Sequence, residues 1–170
     1  MKISRTVPPV FFGALAAAMS LVSMDASDLD ISQVPRSLYE LKNRASGELT
    51  LSRRITSVRP GDLMQVSLTA LPEKHAAMDF SELIATVYST DDGNLVRVLG
   101  KIPANQVAGL KNAEPRGRSN VKLYIPVHGL STNKAFTMYK LALIAPESDS
   151  SGLWKKYAAD TMLFGYDGAR

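Results

Sequence analysis

The chain has 170 residues, 45% hydrophobic and 21% charged, a composition that fits one globular domain with extensions and excludes disorder along its whole length. It holds no cysteine, which excludes disulfides, thiolate nucleophiles, zinc–thiolate centres and iron–sulfur clusters. The formal charge is +4, but Lys2 and Arg5 precede any acid; the remainder carries 18 bases against 16 acids, scattered with short clusters at Arg53-Arg54, Arg116-Gly117-Arg118 and Lys155-Lys156, so nucleic acid is not the expected partner.

Residues 1–5 are basic, Val10 to Met24 is an uncharged and mainly apolar run, and the first acid is Asp25. A positive start, an apolar stretch and a polar continuation make a secretory signal peptide. The run is short for a bilayer span, and Pro8-Pro9 marks its beginning. Cleavage suits the small residues ending at Ser20, then Ser23, with Ala26 a third option. Residues 1–24 are therefore expected as the signal segment, with no stable transmembrane span after cleavage. Without cysteine, neither a disulfide-dense secreted module nor a lipid-anchored lipoprotein fits, and a bacterial envelope is the expected setting.

Residues 25–46 read as a linker with a short helix. Asp25 to Gln33 is a polar lead-in; Ser37 and Glu40 have capping-box spacing, which starts a helix over Leu38 to Arg44 that stops near Gly47. Residues 47–170 then read as the folded domain. Leu49, Leu51, Arg53 and Ile55 fall on one side of a first strand, and Pro60-Gly61 makes a turn. Met64, Val66, Leu68 and Ala70 alternate with Gln65, Ser67 and Thr69, the cleanest strand pattern in the chain. Pro72 to Asp79 is a connection. Leu83 to Tyr88 and Leu95 to Leu99 flank Asp91-Asp92-Gly93-Asn94, a hairpin signal.

Ala104 to Arg118 reads as a long connection with one helical turn near Gln106. Val121, Leu123, Ile125 and Val127 alternate with Lys122, Tyr124 and Pro126, and the proline points to an edge strand. A strand over Ala135 to Ile144, a loop over Pro146 to Gly152, a turn of helix over Leu153 to Ala159 and a strand over Thr161 to Tyr166 complete the chain. The expected fold is all-β: an immunoglobulin-like β-sandwich of about seven strands behind the signal segment and a short flanking helix.

Chemistry-bearing motifs are sparse. His75 and His128 sit in connections, with no Gly-x-Ser-x-Gly or His-Glu-x-x-His nearby, and read as surface residues. Asp91 to Asn94 could suggest calcium, yet the EF-hand spacing fails and a hairpin turn accounts for all four residues. No cofactor or metal is implied. Trp154 beside Lys155 is either a recognition platform or a plug at one end of the sandwich. Lys122 and Tyr124 would face outward on the edge strand, and with Trp154 and Lys155 they form the candidate binding set. The expected function is a non-enzymatic binding or assembly module, periplasmic or secreted, with an envelope or surface protein as partner. The alternative is a periplasmic hydrolase using dispersed carboxylates.

Overall fold

The computed structural model describes residues 24, 29–45, 47–52, 55–70, 82–111, 119–130, 135–148 and 151–168. Residues 1–23, the Arg53-Arg54 pair, His75 with its connection, Arg116 to Arg118 and the side chain of Lys155 lie outside that description. Nine strands are described: β1 (Gly47–Glu48), β2 (Thr50–Leu51), β3 (Thr56–Val58), β4 (Leu63–Ala70), β5 (Ile84–Ser89), β6 (Leu95–Lys101), β7 (Ser119–Pro126), β8 (Phe136–Ser148) and β9 (Trp154–Asp167). Two helices accompany them, α1 (Leu38–Arg44) and α2 (Ala104–Lys111). The fold is a mostly-β, two-sheet sandwich.

Period-two patterning explains the smaller sheet, ordered β2-β4-β7. Met64, Val66 and Leu68 of β4 and Leu123 and Ile125 of β7 are buried, while the residues between them face outward. The larger sheet runs β1-β9-β8-β5-β6, with β3 also paired to β9. Its inner face meets the smaller sheet through Val87, Leu141, Leu143, Met162 and Phe164.

The larger sheet is covered on its outer face as well. There, Tyr88, Ala142, Ile144 and Tyr157 pack with Leu41 of α1 in a second cluster. Central strands buried on both faces read as continuous apolar runs without alternation, as in Ile84-Ala85-Thr86-Val87-Tyr88. The helix that provides this cover starts where the capping spacing places it. Ser37 accepts from the Glu40 N–H at 3.1 Å, while the Glu40 carboxylate reaches one residue beyond the cap, to the Arg36 N–H at 2.7 Å. Residues 31–45 are thereby tied to the sandwich: the Tyr88 hydroxyl donates to the Pro35 carbonyl at 2.9 Å, and the Leu95 N–H donates to the Arg36 carbonyl.

Both open sides of the sandwich are closed. On one, α2 carries the chain from β6 to β7 and buries Val107 and Leu110 in the main core. On the other, the first strand switches sheets. β1 and β3 pair parallel with β9, while β2 between them pairs antiparallel with β4. Pro60-Gly61 then returns the chain to β4, with Gly61 at φ 85° and the Asp62 N–H donating to the Arg59 carbonyl, a turn that needs positive φ at its third residue.

Four sequence expectations are corrected. The first strand is not one-sided: Leu49 and Leu51 are buried, but the sheet switch leaves Ile55 62% exposed. The connection after β6 holds a two-turn helix in place of a single turn. Residues 146–148 extend β8, because Pro146 lies beyond the last β5–β8 pair, Ile84–Ile144, where no second ladder needs its missing N–H. Finally, Leu153 to Ala159 forms no helical turn, since β9 runs unbroken from Trp154.

Candidate interaction surfaces

Lys122 and Tyr124 stand on the outer face of the small sheet, where β7 is an edge strand. The register sets Tyr124 opposite Gln65, Lys122 opposite Ser67 and Pro126 opposite Leu63. Tyr124 is 41% exposed, and Lys122 and Gln65 are exposed beside it. Among the described residues, the result is a mixed face with one aromatic, one cation, and hydroxyl and amide neighbours. The backbone edge beside it is only partly open, because α2 packs against β7 and its Gln106 side chain engages the main chain of Tyr124.

Trp154 lies elsewhere. It begins β9 and packs half-buried at the rim of the second cluster, on the outer face of the larger sheet. Its ring meets Tyr157 edge-on, with centroids 6.3 Å apart, and its backbone N–H donates to Gln33 Oε1 at 2.7 Å. It is therefore not a plug in the end of the sandwich. Tyr157 beneath it donates to the Leu41 carbonyl at 3.0 Å, and the Arg44 guanidinium sits 5.9 Å from its ring centroid. Burial pushes the Tyr157 phenol up to about 12, with Arg44 opposing the shift. This cluster fastens α1 to the sheet. Lys122 and Tyr124 thus sit on the opposite outer face from Trp154, and these three described candidates do not converge on one site.

A feature that sequence reading missed lies where the first strand leaves β9. Asp160 occupies the gap between the β1 and β3 pairings. One carboxylate oxygen accepts the Leu51 N–H and the other accepts the Thr161 N–H, both at 2.8 Å. The side chain thereby replaces the strand partner that β9 lacks at this point. An open groove of about 350 Å³ adjoins it, lined by Ile55, Lys140, Asp160, Thr161, Met162 and Leu163. The available sequence signal was a lone acid on the inward-facing phase of β9, between buried Ala158 and Met162.

The remaining motifs resolve into local structure. Ser89 and Asp92 organise the β5–β6 hairpin: Asp92 accepts from the backbone and side-chain amides of Asn94, which hold its carboxyl below the usual range. Gly93, at φ 72°, completes the turn. His128 is an exposed residue just after β7. Among the described residues, no group of three or more His, Cys, Asp or Glu side chains is arranged to hold a metal ion, and no helix is long and apolar enough to cross a membrane. Compared with known protein families, with curated proteins and with solved structures, the chain shows no match.

Proposed function

We propose that this protein is an exported, non-catalytic binding or assembly module of a bacterial envelope, periplasmic or secreted, and that it meets a protein partner through the outer face of the β2-β4-β7 sheet. The observation that carries this reading is the contrast between the two outer faces. The larger sheet has α1 packed across part of its outer face, whereas the small sheet presents Leu63, Gln65, Lys122 and Tyr124 exposed in paired rows. A half-exposed tyrosine amid polar neighbours provides contact area at small entropic cost, as at many protein interfaces.

Two further points support the proposal. The immunoglobulin-like reading draws on strand order. Placing β9, β8, β5 and β6 side by side, and β4 beside β7, gives the G-F-C-C′ and B-E neighbours of that sandwich, with α2 where a D strand would run. Export draws on the signal-like start alone; Met24, the last residue of the expected 1–24 segment, packs half-buried against the main core, which favours cleavage before it. Cleavage after Ser20 or Ser23 retains that contact, whereas cleavage after Ala26 removes it.

A photo-crosslinking side chain placed at Tyr124 tests the contact, with the same group at exposed Lys156 as the control on the other sheet. A specific adduct in the envelope fraction from position 124 alone is expected. Adducts from position 156 alone, or from neither, refute the proposed face. Mass spectrometry of the exported chain should find its start between Leu21 and Ser27. A cytosolic chain beginning at Met1 refutes export.

A further inference from the structure

β8 is an inner strand of the larger sheet, paired with β5 on one side and β9 on the other. Its outward residues Ala142 and Ile144 are buried in the α1 cluster, and Lys140 continues the same phase along the strand. In register, Lys140 stands between buried Tyr88 and the aliphatic side chain of Leu163. The lysine is half-buried, yet among the described residues its amine has neither an ion pair nor a hydrogen bond. It lines the groove of about 350 Å³ together with Ile55, Asp160, Thr161, Met162 and Leu163. Asp160 is the one acid among these lining residues, and its two oxygens are engaged by the N–H groups of Leu51 and Thr161. Those amide donors compensate the carboxylate. The charge in the groove left without a counter-charge is that of Lys140.

We propose that this groove binds a free apolar carboxylic acid, with Lys140 Nζ donating to the carboxylate and the aliphatic body lying on Ile55 and Leu163. The Thr161 hydroxyl, which makes no hydrogen bond among the described residues, lines the same groove and offers a second donor. A charge-assisted bond of this kind is about twice as strong as a neutral one, and it gains further where apolar walls exclude water. At about 30 Å³ for each water-sized group, 350 Å³ holds about ten to twelve non-hydrogen atoms, the size of a carboxylic acid of about eight carbons. A cationic ligand would meet the repulsion of Lys140 and find Asp160 already engaged. A lysine on an apolar surface commonly lays its stem along its neighbours and holds its amine in water, a role that needs no ligand. Binding measurements separate the two roles. The groove lies on the larger sheet, away from Tyr124, and is independent of the partner face proposed above.

The test is a titration of the purified protein with sodium octanoate at constant ionic strength, followed by amide NMR. Saturable shifts at the Thr161 and Leu163 amides are expected, with a Kd in the millimolar range for so small a ligand in an open site. Lys140→Met keeps the apolar stem and removes the charge, and should weaken octanoate about tenfold or more. Lys140→Arg keeps the charge and should bind within about threefold of wild type. Two comparison ligands define the chemistry. Octylammonium carries the opposite charge, and N-acetylleucine presents the carboxylate of a peptide terminus together with an amide that the aliphatic walls cannot satisfy. Both should bind more weakly than octanoate. Absence of saturable shifts at Thr161 and Leu163 overturns the proposal, as does a folded Lys140→Met protein that binds octanoate like wild type. Octylammonium binding as tightly as octanoate would assign the groove to Asp160, and tighter binding of N-acetylleucine would assign it to a peptide terminus; either result refutes the free acid. If Lys140→Met loses its native far-UV spectrum, Lys140→Gln replaces it, with the same loss of octanoate binding expected and wild-type affinity again refuting the site.

Discussion

Asp160 gives the sharpest test of how the first strand is held between two sheets. Leu51 is buried, and its N–H points away from β4 toward the Asp160 carboxylate 2.8 Å away. Asp160→Ala leaves that N–H without its partner and also removes the acceptor for the Thr161 N–H. A hydrogen bond to a charged group contributes about 1.5–3 kcal/mol, and a buried orphaned donor costs about 1–3 kcal/mol. Asp160 is half-buried and the Thr161 bond is local, so the expected loss is about 2–4 kcal/mol, a fall in Tm of roughly 10 °C for a domain of this size. Asp160→Asn keeps one acceptor oxygen and should lose about half as much. Thermal unfolding followed by circular dichroism measures the totals, and amide hydrogen exchange at Leu51 localises the effect. A Tm for Asp160→Ala within about 1 °C of wild type, or unchanged protection at Leu51, would show that the carboxylate does not hold the strand.

Three other outcomes follow from the same packing. Val66 is buried and its neighbour Ser67 is half-exposed, so Val66→Asp should cost several kcal/mol through an unpaired charge while Ser67→Asp costs about 0.5 or less; equal losses in urea titrations contradict the period-two assignment. Tyr88→Phe orphans the Pro35 carbonyl inside the second cluster and should lower stability by about 1–2 kcal/mol, with exchange rising first in α1. Bonds from the Arg36 N–H and the Arg44 side chain hold the Glu40 carboxyl below its ordinary 4.5. Its stabilising contribution is therefore complete above that pH and is lost as pH falls through the lowered value, a dependence that acid titration of Glu40→Gln should flatten.

Much of the small sheet was legible because its signals are local. β4 and β7 have one wet face and one dry face, so residues such as Val66 and Leu123 announce themselves by alternation. The larger sheet was harder. β9 carries Ala158 and Ala159 where the main core lies beneath and the α1 cluster above, and there the small residues answer to close packing. Read alone they favour a helix, and the tertiary setting overrides that preference. The candidate site divided in the same way. Outward placement of Lys122 and Tyr124 followed from strand phase, but Gln106 lies 18 residues from Tyr124, and no local pattern joins them.

The sequence by itself determined the capped helix at Ser37, the Pro60-Gly61 and Asp92-Gly93 turns, the alternation of β4 and β7 and the edge character that Pro126 imposes. Each of these depends on backbone preferences and hydrogen bonds within a few residues. Only the tertiary structure decided that the first strand divides between sheets, that Asp160 fills the resulting gap, that Trp154 sits on the opposite face from Tyr124, and that Gln106 occupies the edge of β7. Those features join groups from distant parts of the chain, and what fixes them is the pairing of buried backbone donors and acceptors once the two sheets have closed.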